Sequence, residues 1–341
     1  MISSKNKPIF IAEISANHNG KIKNAKKLIL DAKKFGADYV KLQTYNANTM
    51  TLDTNNKNFK ISSGLWKNYN LFKLYKKAET PFSWQKELFD YSKKNKIKCF
   101  STPFDFSAVK LLEDLGCQMY KVASFEISDL PLIKEIASTK KPVIISTGTA
   151  NLKEIDEAYN TAKKYGSKEI ILLYCVTNYP SNFDDFNLNN IKILKSKFNC
   201  RIGLSDHSKG CEIAKLATIA GAEIFEKHIA IKNVIGADYK FSLKGKEIKE
   251  YREALNNSRK LIQNNSFFRN KSENFYKKFR RSVFAVQNID KGETFTRKNL
   301  KSLRPKIGIE PKFLFKLIGK KSKVRIKKNQ PISSKILKKM I

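Results

Sequence analysis

Eight short apolar runs, rich in β-branched residues, alternate with longer amphipathic segments along most of this 341-residue chain. Alternation of this kind predicts βα units and a parallel sheet, because each strand is followed by a helix that packs back onto it. The predicted strands are residues 9–14, 39–44, 98–101, 119–123, 142–146, 170–176, 201–205 and 222–227. Eight βα units in about 260 residues predict a TIM (β/α)8 barrel.

The segments between these runs have the spacing of amphipathic helices, and four of them end at a glycine, as helices often do. The predicted helices are residues 25–35, 85–95, 108–115, 130–138, 152–165, 190–198, 211–220 and 247–263, and the glycines are Gly36, Gly116, Gly166 and Gly221. A doubly wound open sheet is the alternative fold. The sequence disfavours it, because neither GxGxxG nor GxxxxGK[ST] is present.

Two stretches depart from the βα pattern. Residues 46–81 form a long insert after the second predicted strand, and long loops at a barrel mouth are commonly lids. Residues 264–278 are polar and basic and predict a linker between a barrel domain, 1–263, and a small β-rich domain, 279–341. The short strands predicted for this small domain are 281–287, 293–295, 300–304, 317–319, 323–326 and 331–332.

The formal net charge of +36 has two interpretations. One is nucleic-acid binding through a basic face, and the other is a set of solvated, lysine-rich helix surfaces. We favour the second and expect no nucleic-acid partner, because lysines occur on every predicted helix. We also expect a cytoplasmic protein without a membrane span. The five cysteines are scattered, and no apolar run approaches the roughly 20 residues that a membrane helix needs.

Polar residues stand at the end of every predicted strand, where TIM barrels carry their active sites. All three histidines of the chain, His18, His207 and His228, are among them. His207 and His228 follow neighbouring strands, and two imidazoles without a thiolate suit a borderline divalent ion. We expect Mn²⁺, with Mg²⁺ or Co²⁺ as alternatives. His18 is either a mouth contact or a structural element of its turn.

Two lysines, Lys41 and Lys121, lie inside apolar strands, and a buried ammonium needs an anionic partner. With Lys227 and the hydroxyls of Thr102, Ser124 and Ser146, they form a set of donors suited to a small phosphate-bearing acid. Glu13 and Glu126 are carboxylates at the same mouth, and one of them would hold a sugar hydroxyl or act as a general base. A Schiff-base aldolase that uses Lys121 or Lys227 is another possible chemistry.

The strand-end motifs together resemble the sialic acid synthase family, over nearly the whole chain and in the same order. They are EISANHNG (13–20), KLQT (41–44), STPF (101–104), KVAS (121–124), STG (146–148), GLSDH (203–207) and EKH (226–228). The tail resembles the antifreeze-like SAF domain of that family through residues 283–286, 291–293 and 304–305. Within the family, the first motif, the insert and residues 124–127 most resemble the pseudaminic acid synthases. N-acetylneuraminate and legionaminate synthases are the alternatives.

The resemblance implies a reaction in which phosphoenolpyruvate condenses with an amino-sugar aldehyde and releases phosphate. It implies that phosphoenolpyruvate is bound by Lys41, Thr102, Lys121, Ser124 and Ser146, with Thr177 or Asn178 and Tyr179 nearby, and that the sugar faces Glu13, Gln43, Glu126 and Asp238. Glu13, Lys121 and Glu126 would be the catalytic residues, and His207 and His228 the metal ligands. It also implies a domain-swapped homodimer in which Arg304 of the partner subunit contacts an N-acyl group. Here Lys306 follows Pro305 where the family usually has glycine.

Overall fold

The computed structural model describes residues 7–262, 266–267 and 269–340. The chain divides into two compact units, Met1–Gln263 and Asn264–Ile341. The predicted linker falls partly on residues 264, 265 and 268, which lie outside the described residues. Among the residues that are described, no helix combines the length and the apolar character needed to cross a bilayer.

The first unit is a closed parallel barrel, as the sequence predicts. Each strand pairs with the next, and the eighth pairs with the first, so that Glu13 stands beside both Lys41 and His228. The strands are β1 Ile9–Glu13, β2 Tyr39–Thr44, β3 Lys98–Pro103, β4 Tyr120–Val122, β5 Val143–Ser146, β6 Ile170–Cys175, β7 Arg201–Asp206 and β8 Ile224–Ala230. A two-residue strand, β9 (Leu243–Lys244), pairs with the end of β8.

The helices that follow these strands bury their apolar faces against the barrel. In the first of them, Ala25, Leu28, Ile29 and Ala32 are buried at a spacing of three and four residues, which puts them on one face. The helices are α1 Ile22–Lys34, α4 Phe82–Lys94, α5 Phe106–Asp114, α6 Leu130–Ser138, α7 Leu152–Lys164, α8 Asn189–Lys197, α9 Glu212–Ala220 and α10 Lys246–Leu261. The four predicted glycines all follow helices at positive φ, where a side chain would be strained.

The insert after β2 is structured. It contains α2 (Ala47–Met50), a turn of 3-10 helix at Lys57–Phe59, and α3 (Leu71–Ala78). Between these elements the backbone of Ile61 bonds to Asn68 and Tyr69, which closes a tight loop. Since the insert follows a strand at its carboxyl end, it emerges at the barrel mouth.

The second unit has a core of its own around Val283, Phe295, Leu317 and Ile326. Its antiparallel sheet joins β10 (Ser282–Ala285) to β11 (Leu300–Leu303), and single bridges connect Thr294, Ile326 and Pro331 to neighbouring segments. Its helical turns are α11 Glu273–Tyr276, α12 Leu314–Leu317 and α13 Ser334–Met340. The strand predicted at 317–319 is therefore wrong, because a helical turn carries Leu317 into the core before Gly319 turns at positive φ.

Candidate active site

A cavity of about 400 Å³ opens at the carboxyl ends of the barrel strands. It brings together most of the residues predicted for the site: Lys41, Gln43, Thr102, Lys121, Ser124, Glu126, Ser146, Tyr179, His207, His228 and Asp238. These side chains come from β2, β3, β4, β5 and β8 and from the loops that follow the strands. Their meeting is a consequence of barrel closure, which points every strand end at one opening.

Lys41 lies at the centre of a buried network of charges on the cavity floor. Its ammonium is 2.7 Å from Glu13 Oε2 and 3.6 Å from Glu226 Oε1, and it donates to Thr102 Oγ1 at 2.9 Å. Burial alone would lower the pKa of Lys41, but Glu13 and Glu226 outweigh it and raise that pKa. Lys41 is therefore a fixed cation. Glu13, which was predicted to face the sugar, contacts Lys41 but does not line the cavity.

Lys121 is equally buried but lacks such a partner. Its ammonium donates to the carbonyl of Val122 at 3.0 Å and makes no ion pair with a described carboxylate. Burial lowers the pKa of Lys121, and Glu226 opposes that effect from a distance. A cation in this position gains most from an anion that enters the cavity.

Two serines near Lys121 offer hydroxyl groups to the same space. Ser124 Oγ accepts from the backbone N–H of Gly148 at 3.2 Å, and Ser146 Oγ is buried without a hydrogen-bond partner among the described residues. Gly148 permits the arrangement, since a Cβ there would lie 2.0 Å from Thr177 Oγ1 and 2.7 Å from Ser124 Oγ. Thr177 thus packs against this group although it does not line the cavity.

His207 and His228 face each other across the floor, with ring centroids 5.5 Å apart. His207 Nδ1 lies 2.9 Å from the carbonyl of Val176, which can only accept, so the proton of a neutral ring sits on Nδ1 and Nε2 keeps its lone pair. His228 Nδ1 is 3.4 Å from Asp238 Oδ2. The donor set fits a divalent ion held by two imidazoles. Within the described chain no group of three or more His, Cys, Asp and Glu side chains is placed to hold a metal, so water or substrate must complete the coordination.

Glu126 and Gln43, which were predicted to face the sugar, both line the cavity. Glu126 Oε2 is buried without a hydrogen-bond partner among the described residues. Burial raises the pKa of Glu126 to about 7, although Lys121 opposes the shift. This carboxyl group therefore exchanges its proton near neutral pH, as a general acid or base must.

Lys227 does not face the cavity, which corrects its grouping with the phosphate-binding donors and its candidacy as a Schiff-base lysine. Side chains alternate along a strand, so Glu226 and His228 point inward and Lys227 points outward. Its ammonium pairs with Asp206 Oδ1 at 3.2 Å, and both side chains are fully buried. Tyr251 completes this cluster by donating to Asp206 Oδ2 at 3.0 Å.

His18 does not line the cavity, so only the structural interpretation of this residue is supported. Its Nδ1 accepts from the N–H of Gly20 at 3.1 Å, and its Nε2 lies 3.2 Å from Thr80 Oγ1. The ring meets Trp84 edge-on at 5.6 Å. Burial lowers the pKa of His18 to about 4, against the pull of Asp238, so the ring is neutral. It ties the turn after β1 to the end of the insert.

The remaining predicted residue, Arg304, is exposed in the second unit, so its proposed contact stays a prediction. The cavity also contains residues that were not predicted for the site, among them Ser205 and Glu226. Each lies two positions before a predicted histidine, and the two-residue period of a strand would have found it. Several residues of the insert after β2 also line the cavity, among them Trp66, Leu71 and Leu74. The sequence indicates them only weakly, through an apolar spacing within a polar segment.

The model of the NeuB family matches residues 28–266, which is most of the chain. The chain belongs to the NeuB family. The SAF domain model matches residues 280–336, so the NeuB-type barrel is followed by the domain that the tail motifs predicted. Both resemblances drawn from the sequence motifs are confirmed.

Similarity to individual NeuB-family proteins extends over nearly the full length. A pseudaminic acid synthase of Helicobacter pylori is 40% identical over 96% of this chain and 97% of its own. An N,N'-diacetyllegionaminic acid synthase of Campylobacter jejuni is 37% identical over 92% and 95%. A crystal structure of N-acetylneuraminic acid synthetase from Leptospira borgpetersenii, in complex with citrate, superposes with a TM-score of 0.70 at 34% identity, over 80% of this chain and 90% of that one.

Proposed function

We propose that this protein is a pseudaminic acid synthase, which condenses phosphoenolpyruvate with 2,4-diacetamido-2,4,6-trideoxy-L-altrose and releases phosphate. The observation that carries the proposal is one cavity lined by Lys121, which makes no ion pair with a described carboxylate, and by two imidazoles from neighbouring strand ends. The family and the pseudaminic acid synthase among its similar members support the same reaction. The alternatives are an N-acetylneuraminate synthase and a legionaminate synthase, which carry out the same condensation with other aldehydes.

The cationic side of the cavity binds phosphoenolpyruvate in this proposal. Lys121 supplies a buried ammonium that makes no ion pair with a described carboxylate, and Ser146 Oγ supplies a hydroxyl group without a hydrogen-bond partner among the described residues. Lys41, held by Glu13, presents a second cation whose position does not depend on substrate. Ser124, Thr102 and Thr177 extend this side of the site.

The aldehyde lies between the histidines and the carboxyl groups. His207 and His228 would hold Mn²⁺, which when bound polarises a carbonyl oxygen. C3 of the enolpyruvate forms a bond to the aldehyde carbon as that oxygen takes a proton, and Glu126 is placed to supply or accept one at neutral pH. Water adds to C2, and the tetrahedral intermediate collapses to the keto acid and inorganic phosphate.

The decisive experiment offers the purified enzyme phosphoenolpyruvate with the altrose derivative, N-acetylmannosamine or the legionaminate precursor, with and without Mn²⁺. We expect phosphate release that needs both an aldehyde and the ion, and that is fastest with the altrose derivative. Phosphate release independent of sugar and metal would remove the proposal. A preference for another aldehyde would instead indicate an N-acetylneuraminate synthase or a legionaminate synthase.

The metal assignment has its own test, which uses the third histidine as a matched control. We expect His207→Ala and His228→Ala to lose Mn²⁺ binding in calorimetry, whereas His18→Asn retains it because His18 does not line the cavity. Stoichiometric binding that survives both replacements would contradict the assignment.

We further propose a domain-swapped homodimer in the cytoplasm. All five cysteines are free thiols, which suits a reducing compartment. If Arg304 of the partner subunit completes each site, mixing the inactive Lys121→Ala and Arg304→Ala variants restores activity, because one mixed site contains both native residues. Unchanged inactivity of a mixture that light scattering shows to be dimeric would exclude sharing.

A further inference from the structure

One face of α3 is apolar and opens onto the cavity. Leu71, Leu74, Tyr75 and Ala78 line it, and their spacing of three, four and seven residues puts them on one side of the helix. None of the residues of α3 is fully buried, and although Tyr75 meets the ring of Tyr45 edge-on at 6.0 Å, this face also borders the cavity. An amphipathic helix of this kind normally covers a core.

The rest of the insert extends the same surface. Met50, Ile61 and Trp66 also line the cavity, and together with the four α3 residues they form what we term the insert wall. The charged, imidazole and hydroxyl side chains of the floor come from the strand ends and the loops that follow them, where Phe104, Ala123 and Phe125 also line the cavity. The cavity is therefore divided, with a polar end for the reacting groups and an apolar side along the insert.

The insert wall is held in place by contacts at several points. Trp66 Nε1 donates to the carbonyl of Ala237 at 3.3 Å, and its ring packs on Tyr179 at 5.4 Å. At the base of the insert, the N–H of Ala47 donates to Glu79 Oε2 at 2.9 Å. A wall fixed before substrate arrives loses little conformational entropy on binding, so its shape and polarity contribute to selectivity.

The candidate aldehydes differ in the groups that they could place against such a wall. The proposed altrose derivative has a methyl group at C6 and on each of two acetamido groups, whereas N-acetylmannosamine has hydroxyl groups at C4 and C6. A hydroxyl pressed against Leu71 or Leu74 loses its hydrogen bonds to water without gaining a partner. A methyl group gains from the same contact.

We propose that the insert wall selects aldehydes that lack the C6 hydroxyl and carry a second acetamido group. The inference rests on the proposed function and adds the part of the chain that chooses the substrate. Because the wall selects by polarity, it favours the pseudaminate and legionaminate precursors alike over hydroxylated sugars. Stereochemical choice between those two belongs to other residues.

The test compares Leu74→Asn, a nearly isosteric change on the wall, with Leu52→Asn, the same change at an exposed position of the insert. We expect Leu74→Asn to raise KM for the altrose derivative by about tenfold or more, the usual worth of an apolar contact in a pocket. KM for phosphoenolpyruvate and all constants of Leu52→Asn stay unchanged. Leu71→Asn, on the same face, should reproduce the Leu74→Asn result.

The outcomes separate this inference from the proposed function. Wild-type enzyme that releases no phosphate with any aldehyde defeats the proposed function itself. If the wild type is active, three results would overturn the inference. Leu74→Asn could raise KM equally for the altrose derivative and for phosphoenolpyruvate, it could raise neither, or Leu52→Asn could raise KM for the altrose derivative by the same factor. Should circular dichroism show that one wall variant does not fold, the other decides.

Discussion

Lys121 and Lys227 are both buried lysines on barrel strands, yet they serve opposite purposes. Lys227 is neutralised by Asp206 in a closed cluster behind the barrel wall, whereas Lys121 makes no ion pair with a described carboxylate. A satisfied ion pair belongs to the folded scaffold. A buried cation without such a partner costs stability and is typical of a binding site.

We therefore expect opposite effects from the same substitution at these two positions. Lys227→Met leaves the buried Asp206 carboxylate without its cationic partner and should lower the free energy of unfolding by about 3–5 kcal/mol. Lys121→Met removes a poorly solvated charge, so it should not lower the free energy of unfolding but should abolish phosphoenolpyruvate binding. Urea unfolding and calorimetric titration measure both quantities, and the reverse ranking in stability would contradict this account.

The raised pKa of Glu126 predicts a pH-dependent stability. The unfolded carboxyl group loses its proton near its ordinary pKa of 4.5, while burial holds the folded pKa at about 7. The wild type thus loses stability as pH rises between these values, and the full penalty is present above pH 7.

Glu126→Gln has no such penalty, so its melting temperature relative to wild type should be higher at pH 8 than at pH 5. Differential scanning fluorimetry at the two values checks the sign. Glu247→Gln, at an exposed position, is the control and should show no such trend. An advantage for Glu126→Gln that is equal at both values would show that Glu126 titrates normally.

At the scale of single elements, the turn after β5 depends on the absence of a side chain at Gly148. A Cβ there would overlap Thr177 Oγ1 and crowd Ser124 Oγ, which both belong to the phosphoenolpyruvate side of the site. Gly148→Ala should force these hydroxyls apart.

We expect Gly148→Ala to raise KM for phosphoenolpyruvate by about tenfold or more, with a smaller effect on KM for the aldehyde. The combination with Thr177→Ala relieves the closest contact, so it should restore packing without restoring affinity. Steady-state kinetics in each substrate provide the comparison. A Gly148→Ala enzyme with native constants would mean that the turn relaxes freely.

The barrel elements could be predicted from sequence because their signals are local. Strand β2 and helix α6 have the predicted bounds, and the other barrel strands differ from prediction by a few residues at their ends. The second unit was harder, since single bridges such as Ile289 with Ile326 leave no periodic pattern. Leu317 illustrates the limit of prediction from local sequence. An apolar run that ends at glycine is compatible with a strand or with a helical turn, and the packing of Leu317 in the core determines which one forms.

The site was predictable to the extent that strand ends must converge. This rule alone predicts Lys41, Lys121 and His228, which occupy inward positions on their strands, and His207, which directly follows β7. The outward direction of Lys227 was also available from the two-residue period. The contact of His18 with Thr80 was not, since it joins segments 62 residues apart through an irregular loop.

For the molecule as a whole, the positive charge is not uniform along the chain. Residues 264–341 contain 23 Lys and Arg but only four Asp and Glu, so the smaller unit carries more than its share of the net charge of +36. Such a field attracts small anions and weakens as salt is added.

We expect kcat/KM for anionic phosphoenolpyruvate to fall severalfold between about 0.02 M and about 0.3 M salt, whereas kcat/KM for the uncharged aldehyde changes little. Stopped assays of phosphate release over this range measure both. A parallel fall for both substrates would point to a loss of structure. Salt-sensitive binding of a DNA duplex by the same protein would instead support the nucleic-acid interpretation of the charge.

The insert wall and the floor differ in how their residues are distributed along the sequence. The reacting groups are drawn from strands across the whole barrel, while the wall is one continuous segment clasped at its base by Ala47 and Glu79. We therefore expect that residues 46–81 can be exchanged between relatives as one segment, provided that the contacts of Trp66 and Thr80 with the barrel are kept. A new aldehyde preference could then be acquired in evolution, or introduced in the laboratory, by replacing this one segment. The reacting groups on the barrel strands would stay unchanged.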